Sequence, residues 1–516
     1  MRKKRQKSRN WSTTSGTGSR SLPAYNRGRR EYMVHNLDAL FNPENIAVIG
    51  ASNNPLKAGY TVIYNLNQIG YPKQVFPVTV SADEILGRKC YKKLSEIEET
   101  VELVVLGTPA KMIYDIMDDL SLRMERKRDV KVIVCIAADY GETKTEEGLR
   151  RQDCLIGTAA KYGIRVVGPN CIGIIDNINR VDTTFVETLI PKEMRGQKGG
   201  ISFISQSGAM AASILMMGAS GPAPISMNKF ISIGNMADVD CIDLLEYFEQ
   251  DEDTKVIGMY LEGYPDGRRL IDTLARIARR KPVVILKVGR SSIGAEAANS
   301  HTGSLAGADS VYDAAFRQFG IIRVYTIEDM MDTLQAFESM KIPDGRNCFL
   351  LTQAGGPGIY CTDAFVDEKV LEFPFVSEKT KKKLAGALPP MANVCSPEGY
   401  ADITAAATVE HHVESLRIVM DDDAVDSVIF VTVVPTFLPR RELAEGLLRL
   451  LAEEGYKEKK PVCICIMAGN YVWECRQILE RGGIHTFDTP AHCVKAMSHM
   501  TAYGQFLKRQ EEEADE

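Results

Sequence analysis

The sequence lacks three features that would assign it to a familiar class of protein. It has no apolar run near the roughly 20 residues of a membrane-spanning helix, so we expect no membrane contact. Its net charge is −6, and the basic residues do not gather on the folded part, which argues against nucleic-acid binding. No pair among its 12 cysteines has zinc-ligand spacing. Most of them lie in apolar stretches, so we expect free buried thiols in a reducing cytoplasm and no metal site.

The composition is that of a globular protein with several domains. Hydrophobic residues make up 45% and charged residues 25% of 516 residues, enough for roughly three domains of ordinary size.

Residues 1–32 are rich in Lys, Arg, Ser and Gly and cannot form a core, so we predict a disordered basic extension. It could be a transit peptide, a tail for nucleic acid or membrane, or sequence upstream of a true start at Met33. We favour the third, because structured patterning begins directly after Met33.

The rest of the chain predicts an α/β fold. Continuous apolar runs alternate with amphipathic helical segments, which indicates parallel sheets covered on both faces. The predicted strands are Ile46–Ile49, Gln74–Val78, Leu103–Gly107, Lys131–Ala137, Arg165–Gly168, Ile201–Ser205, Lys255–Leu261, Pro282–Lys287, Cys348–Thr352, Ser427–Val433 and Pro461–Met467. We expect domains at 33–160, 161–340 and 341–505, followed by an acidic tail at 506–516.

Three strand-to-helix junctions are rich in small residues. The first, Ile49-Gly50-Ala51-Ser52 with Lys57 and Gly59 beyond it, is typical of an anion site at a helix start, although the three-glycine dinucleotide pattern is absent. The other two, Ser205-Gln206-Ser207-Gly208 and Thr352-Gln353-Ala354-Gly355, resemble each other and indicate a distant internal repeat. Each could also be an ordinary turn between a strand and a helix.

A histidine among small residues is the remaining candidate for chemistry. In Ser300-His301-Thr302-Gly303-Ser304 the small neighbours leave the imidazole accessible, which suits a phosphoryl carrier. The alternative is a loop histidine without a function.

Together these motifs resemble the α subunit of NDP-forming acyl-CoA synthetases, the ADP-forming acetate–CoA ligases of the succinyl-CoA synthetase superfamily. The resemblance covers roughly residues 34 to 505. Its motifs are Gly50-Ala51-Ser52, Gly168-Pro169-Asn170-Cys171, Gln206-Ser207-Gly208, Leu261-Glu262-Gly263, Lys287-Val288-Gly289-Arg290, Ser300-His301-Thr302-Gly303 and Gly355-Gly356-Pro357-Gly358. It implies a Rossmann-like CoA-binding domain followed by two flavodoxin-like domains.

The resemblance also implies an activity. Acyl-CoA, phosphate and ADP are interconverted with a carboxylic acid, CoA and ATP through an acyl phosphate and a phosphohistidine. His301 matches the phosphorylated histidine and Glu262 the carboxylate that orients it. The phosphate-binding helix starts match Gln206, Ser207, Gly208, Gly355, Gly356 and Gly358, and the CoA-binding residues match Gly50, Ser52, Lys57, Gly59, Thr108, Pro109, Asn170 and Cys171. Cys171 could equally be a packed core residue.

Some segments depart from the family pattern. Thr79-Val80-Ser81 stands where the family has Asn-Pro-Lys, so one basic contact to CoA is missing. Ser396-Pro397-Glu398 begins a segment that replaces Asn-Pro-Val-Asp and is expected near the acyl site, which favours an unusual acyl group.

No segment resembles the ATP-grasp module of the family. We therefore expect a separate ATP-grasp β subunit in a hetero-oligomer, with ADP or ATP and Mg²⁺ bound by that partner. The alternative to an enzyme is a non-catalytic module that senses CoA or acyl-CoA.

Overall fold

The computed structural model describes residues 37–186, 198–225, 227–296 and 309–515. The basic extension predicted at 1–32 lies outside these residues. The described chain forms three sheets of five, seven and six strands and one small hairpin.

The first sheet is parallel throughout, in the order β2-β1-β5-β6-β7. Its strands are β1 (Ile46–Ile49), β2 (Val75–Val78), β5 (Leu103–Leu106), β6 (Val132–Cys135) and β7 (Arg165–Val167), with the hairpin β3 (Glu84–Ile85) and β4 (Arg88–Lys89) beside them. The helices are α1 (Asp38–Phe41), α2 (Ala58–Ile69), α3 (Ile113–Arg126) and α4 (Glu146–Tyr162). Ile46 and Val48 join one apolar core while Ala47 and Ile49 join another, so the sheet is buried on both faces as predicted.

The second sheet has the order β14-β13-β12-β10-β11-β8-β9. Its strands are β8 (Ile174–Asp176), β9 (Val181–Asp182), β10 (Ile201–Ser205), β11 (Met227–Ser232), β12 (Val256–Leu261), β13 (Val283–Lys287) and β14 (Ile322–Val324). The helices are α5 (Gly208–Ala219), α6 (Cys241–Gln250), α7 (Gly267–Ala278), α8 (Asp309–Gln318) and α9 (Ile327–Ser339). β8 and β9 add an antiparallel edge to five parallel strands.

The third sheet has the order β16-β17-β15-β18-β19-β20. Its strands are β15 (Cys348–Thr352), β16 (Asn393–Val394), β17 (Tyr400–Asp402), β18 (Ser427–Thr432), β19 (Val462–Ile466) and β20 (Thr486–Phe487). The helices are α10 (Gly355–Glu368), α11 (Glu378–Ala387), α12 (Val409–Met420), α13 (Arg440–Leu448), α14 (Tyr456–Lys459), α15 (Trp473–Arg481) and α16 (Pro490–Asp515). Only β16 runs antiparallel to its neighbour.

The three sheets share one strand order. Numbered within each sheet, the main parallel strands follow 2-1-3-4-5, a doubly wound arrangement. In each sheet the chain leaves the first strand for one side and later returns to the other side. The crevice at this switch point, at the carboxyl ends of the first and third strands, is where such sheets bind ligands.

Two predicted boundaries differ from the observed elements. Strand β7 pairs with β6, so the first sheet extends beyond residue 160. Helix α16 continues to Asp515, within the tail predicted at 506–516, and Phe506 is buried because it packs on Gly320. An extra Cβ at Gly320 would lie 2.3 Å from that ring. Among the described helices, none combines the length and apolarity that crossing a bilayer requires.

Candidate functional site

A cavity of about 960 Å³ opens at the switch point of the first sheet. Gly50 and Ser52 line it after β1, and Thr108 and Pro109 line it after β5. Lys57, the residue before α2, lines the same cavity. The structure therefore brings five of the eight sequence-predicted CoA residues together in the crevice where a doubly wound sheet binds nucleotides.

Gly59 contributes to this site by its size. It does not line the cavity, but a Cβ at this position would lie 2.2 Å from the carbonyl oxygen of Gly50. Gly50 itself has φ +92°, and a Cβ there would lie 2.8 Å from the carbonyl carbon of Gly107. Three segments of backbone therefore meet more closely than side chains allow, which fixes the start of α2 against the strand ends.

Asn170 and Cys171 lie beside the cavity but do not line it. The backbone N–H of Asn170 donates to the carbonyl of Ala137, a lining residue, at 3.0 Å. The Cys171 thiol is buried and donates to the carbonyl of Cys135 at 3.3 Å. Burial raises the pKa of the Cys171 thiol to about 12. A thiol in this state is a packed core group, the second of the two interpretations that the sequence left open.

At the second switch point, Gln206 connects two strand ends. Its Oε1 accepts hydrogen bonds from the N–H groups of Glu262 (2.5 Å) and Gly263 (3.1 Å), and its Nε2 donates to the carbonyl of Gly263 at 2.7 Å. Gln206 follows β10 and Glu262 follows β12, which are neighbouring strands. The two predicted site residues are therefore held together by backbone contacts, with the Glu262 side chain buried nearby.

Lys287 is a residue of this site to which the sequence analysis gave no role. It ends β13, and its Nζ donates to the carbonyl oxygen of Glu262 at 2.8 Å. Burial lowers the pKa of this ammonium, although the charge of Asp309 opposes the shift. The signal in the sequence that could have indicated its role is the position of a lysine at the end of an apolar strand.

Ser207 and Gly208 form the start of α5. The Ser207 hydroxyl accepts a hydrogen bond from the N–H of Met210 and caps the helix, while the Ser205 hydroxyl donates to the Ser207 carbonyl at 2.8 Å. The remaining N–H groups of the first turn are the donors that an anion at a helix start would use.

The third sheet repeats this arrangement. Thr352 donates to the carbonyl of Ala354 at 2.8 Å, as Ser205 does to Ser207. Gln353 Oε1 accepts from the Thr432 hydroxyl (2.9 Å) and the Val433 N–H (3.2 Å) at the end of the neighbouring strand β18. These matching hydrogen bonds support the internal repeat that the two similar motifs indicate.

The predicted glycines of the third sheet begin α10. Gly355 and Gly356 are the first two residues of the helix, and Gly358 follows them in its first turn. A Cβ at Gly358 would lie 2.7 Å from the hydroxyl oxygen of Tyr400, whereas one at Gly356 would meet nothing within 4 Å. The helix start is thus open at Gly356 and tightly packed at Gly358.

His301 and its loop lie outside the described residues. No described group of three or more His, Cys, Asp or Glu side chains could hold a metal ion.

Two family models match the chain. The CoA binding domain model matches residues 44–177, and the succinyl-CoA ligase like flavodoxin domain model matches residues 198–337. They cover the first sheet, the second sheet except β9, and the two switch points described above.

Relatives and solved structures match over most of the chain. The α subunit of ADP-forming acetate–CoA ligase II of Pyrococcus furiosus is 40% identical over 88% of this chain and 95% of its own length. The ADP-forming acetate–CoA ligase of Methanocaldococcus jannaschii is 33% identical over 92% of this chain, which spans 64% of that protein. A solved structure of dinucleotide-forming acetyl-coenzyme A synthetase 1 of Candidatus Korarchaeum cryptofilum, in complex with phosphate and ADP, has a TM-score of 0.82 at 32% identity, covering 92% of this chain and 98% of that chain.

Proposed function

Because the chain belongs to the family of ADP-forming acetate–CoA ligase α subunits, we propose that it is an acid–thiol ligase subunit. It interconverts acyl-CoA, ADP and phosphate with a carboxylic acid, CoA and ATP. The observation that carries this proposal is the 40% identity to a ligase α subunit over 95% of that subunit's length. This relationship favours an enzyme over the CoA-sensing module that the sequence left as an alternative.

The reaction divides into three transfers. First, an oxygen of inorganic phosphate attacks the thioester carbonyl carbon, and the CoA thiolate leaves to give an acyl phosphate. Next, a ring nitrogen of His301 attacks phosphorus and the carboxylate leaves. Finally, the terminal phosphate oxygen of ADP attacks the phosphohistidine, which gives ATP and restores the imidazole.

The described residues support particular roles in these steps. The first cavity would hold CoA, with Lys57 near its phosphates. Glu262, fixed by Gln206 and Lys287, would orient the imidazole and stabilise its cationic form, as carboxylates do in other histidine sites. The N–H groups that begin α5 and α10 would stabilise the charge of the phosphoryl group without reorganising.

We also propose that nucleotide and Mg²⁺ bind to a separate ATP-grasp β subunit. The matching Pyrococcus proteins are α subunits, and the longer Methanocaldococcus ligase contains a portion that this chain does not match. All 12 cysteines are free, which supports a reducing compartment such as the cytoplasm.

Phosphoryl transfer onto the chain tests this function. Purified protein is incubated with radiolabelled phosphate and each of a set of acyl-CoA thioesters that includes acetyl-CoA. Label stable to alkali but not to acid is measured on wild type, His301→Ala, Glu262→Gln and the exposed control Glu252→Gln. We expect label on wild type and the control, less on Glu262→Gln and none on His301→Ala. Unlabelled wild type or full labelling of His301→Ala contradicts the proposal. ATP formation by the purified chain alone contradicts the need for a β subunit.

A further inference from the structure

The cavity of the first sheet carries basic residues at two separate places. Lys57 lies at the start of α2, whereas Lys92 and Lys93 approach from the segment after the hairpin. Lys92 is already engaged, because its Nζ donates to Asp83 Oδ1 at 2.8 Å and to the carbonyl of Ala82 at 3.2 Å. Within the described residues, the ammonium of Lys93 has no such hydrogen bond or ion pair. Lys93 is therefore a cation available to a ligand.

Backbone contacts hold Lys93 beside the end of β2. The N–H of Thr79 donates to the carbonyl of Tyr91 at 2.9 Å, and the N–H of Tyr91 donates to the carbonyl of Pro77 at 2.9 Å. On the other side of Lys93, the N–H of Leu94 donates to Asp119 Oδ2 at 2.7 Å. The position of Lys93 relative to β2 is thus fixed from both directions.

The end of the second strand is where a doubly wound sheet contacts the adenosine ribose. Sheets that bind an unphosphorylated ribose place a carboxylate there, and those that bind a phosphorylated ribose place a basic residue nearby. Thr79, Val80 and Ser81 supply no carboxylate here, and Asp83 beyond them is paired with Lys92.

Three carboxylates of α3 also line the cavity, those of Asp115, Asp118 and Asp119. Asp119 is engaged, because it accepts hydrogen bonds from the N–H groups of Leu94 and Ser95 and from the Ser95 hydroxyl. With no carboxylate on the segment after β2 and a lysine beside it, this end of the cavity fits a phosphorylated ribose.

We propose that Lys93 binds the 3′-phosphate of CoA and replaces the lysine that is absent from Thr79-Val80-Ser81. Lys57, at the start of α2, serves the diphosphate. This inference rests on the proposed function, because it takes CoA as the occupant of the cavity.

Calorimetric titration with CoA and with dephospho-CoA, which lacks only the 3′-phosphate, tests this assignment. The proteins are wild type, Lys93→Ala, Lys93→Arg and the control Lys89→Ala, whose exposed side chain lies on β4 and does not line the cavity. We expect Lys93→Ala to weaken CoA binding about five- to tenfold, the loss of one charge-assisted contact. Its affinity for dephospho-CoA stays at the wild-type value, Lys93→Arg retains CoA affinity, and Lys89→Ala changes either affinity by less than about twofold.

The outcomes separate the two proposals. If wild type binds neither ligand, the CoA site itself is wrong. If wild type binds CoA but Lys93→Ala binds it equally well, the assignment of Lys93 is wrong while the CoA site stands. Equal weakening of CoA and dephospho-CoA binding by Lys93→Ala also contradicts the assignment, because the lysine would then contact another part of the ligand.

Discussion

One buried amide determines the geometry of the second switch point. Gln206 makes three hydrogen bonds to the backbone of Glu262 and Gly263, so its side chain sets the distance between two loops that belong to different strands. The corresponding Gln353 makes two hydrogen bonds to the end of β18. Both glutamines present the amide oxygen as an acceptor to a neighbouring strand end. Gln206 also donates from Nε2 to the Gly263 carbonyl, whereas the buried Nε2 of Gln353 has no hydrogen-bond partner among the described residues.

Replacing Gln206 by Leu is expected to release the Glu262 loop. The substitution leaves two backbone N–H groups and one carbonyl without partners, which destabilises the protein by about 2–3 kcal/mol. We expect phosphoryl labelling of the chain to fall about tenfold or more while CoA affinity stays unchanged, since the cavity lies on another sheet. Labelling at the wild-type rate in a folded Gln206→Leu protein would show that this connection does not position Glu262.

Cys171 is expected to be dispensable for chemistry. Its thiol is buried and its pKa is about 12, so little thiolate exists near neutral pH. Cys171→Ala should retain the rate of acyl-CoA-dependent labelling within about threefold and lose about 1 kcal/mol of stability from the deleted sulfur. A loss of activity beyond a hundredfold with intact CoA binding would instead assign the thiol a part in the reaction.

At the scale of elements, apolar runs predicted the central strands well. All 11 predicted strands are present, three of them with the observed bounds: Ile46–Ile49, Ile201–Ser205 and Cys348–Thr352. β11 (Met227–Ser232) was missed because buried Asn228 and Lys229 interrupt its apolar pattern. Asp251 binds both side chains at 2.8 Å, and it lies 23 and 22 residues further along the chain, outside the local pattern of the strand.

The candidate site was predictable to a similar degree. The residues that follow a strand could be assigned to a strand-to-helix junction from the sequence, because each such junction comes directly after an apolar run. The contacts between junctions, such as Gln206 with Glu262 or Thr79 with Tyr91, depend on strand order, which local patterns do not contain.

The junction between β1 and α2 depends on the absence of a side chain at Gly59. Gly59→Ala places a Cβ 2.2 Å from the Gly50 carbonyl oxygen, so backbone must move. We expect a loss of about 2 kcal/mol or more in the free energy of unfolding and CoA binding weakened at least tenfold. Gly157→Ala is the matched control, because its Cβ within α4 meets nothing within 4 Å and alanine favours the helix by about 0.5–1 kcal/mol. Equal stability of the two variants in urea titrations would contradict the importance of this close approach.

At the scale of the whole molecule, a charged cluster joins the second and third sheets. Asp332 on α9 pairs with His492 Nδ1 at 2.8 Å and with His485 Nε2 at 3.4 Å. Burial alone lowers the pKa of His485, but the charge of Glu480 and the contact with Asp332 raise this pKa to about 10. Burial alone raises the pKa of Asp332, but the two histidines lower this pKa to about 2. Lys495 on α16 and Asp329 on α9 form a further ion pair at 3.0 Å between the same two parts of the molecule.

The contact that this charged cluster makes between the second and third sheets is expected to weaken as the solution becomes alkaline. Because the folded-state pKa of His485 is raised, its contribution to stability is complete below about pH 6.5, the unfolded-state value, and is lost as pH rises toward 10. Asp332→Asn should reduce this part of the pH dependence, because the Glu480 charge that also raises the pKa of His485 remains. It should cost on the order of 3 kcal/mol at pH 7. Urea unfolding at pH 6.5, 8 and 9.5 measures both effects.

The control is Asp272→Asn, which removes an exposed carboxylate paired with Arg268 on α7. It should alter stability by less than about 1 kcal/mol at each pH. If Asp332→Asn retains the wild-type slope between pH 6.5 and 9.5, the histidine pairs do not govern the alkaline loss of stability.

Helix α16 has a consequence for synthesis of the protein. Tyr503 donates a hydrogen bond to the carbonyl of Ala278, and Phe506 packs on Gly320, so residues of the second sheet's layer complete their contacts with a helix translated much later. While the ribosome is still synthesising the third sheet, the surface around Ala278 and Gly320 that α16 later covers is exposed to solvent. The nascent chain therefore carries an unfinished apolar surface until α16 emerges, and a chaperone can bind there during that time.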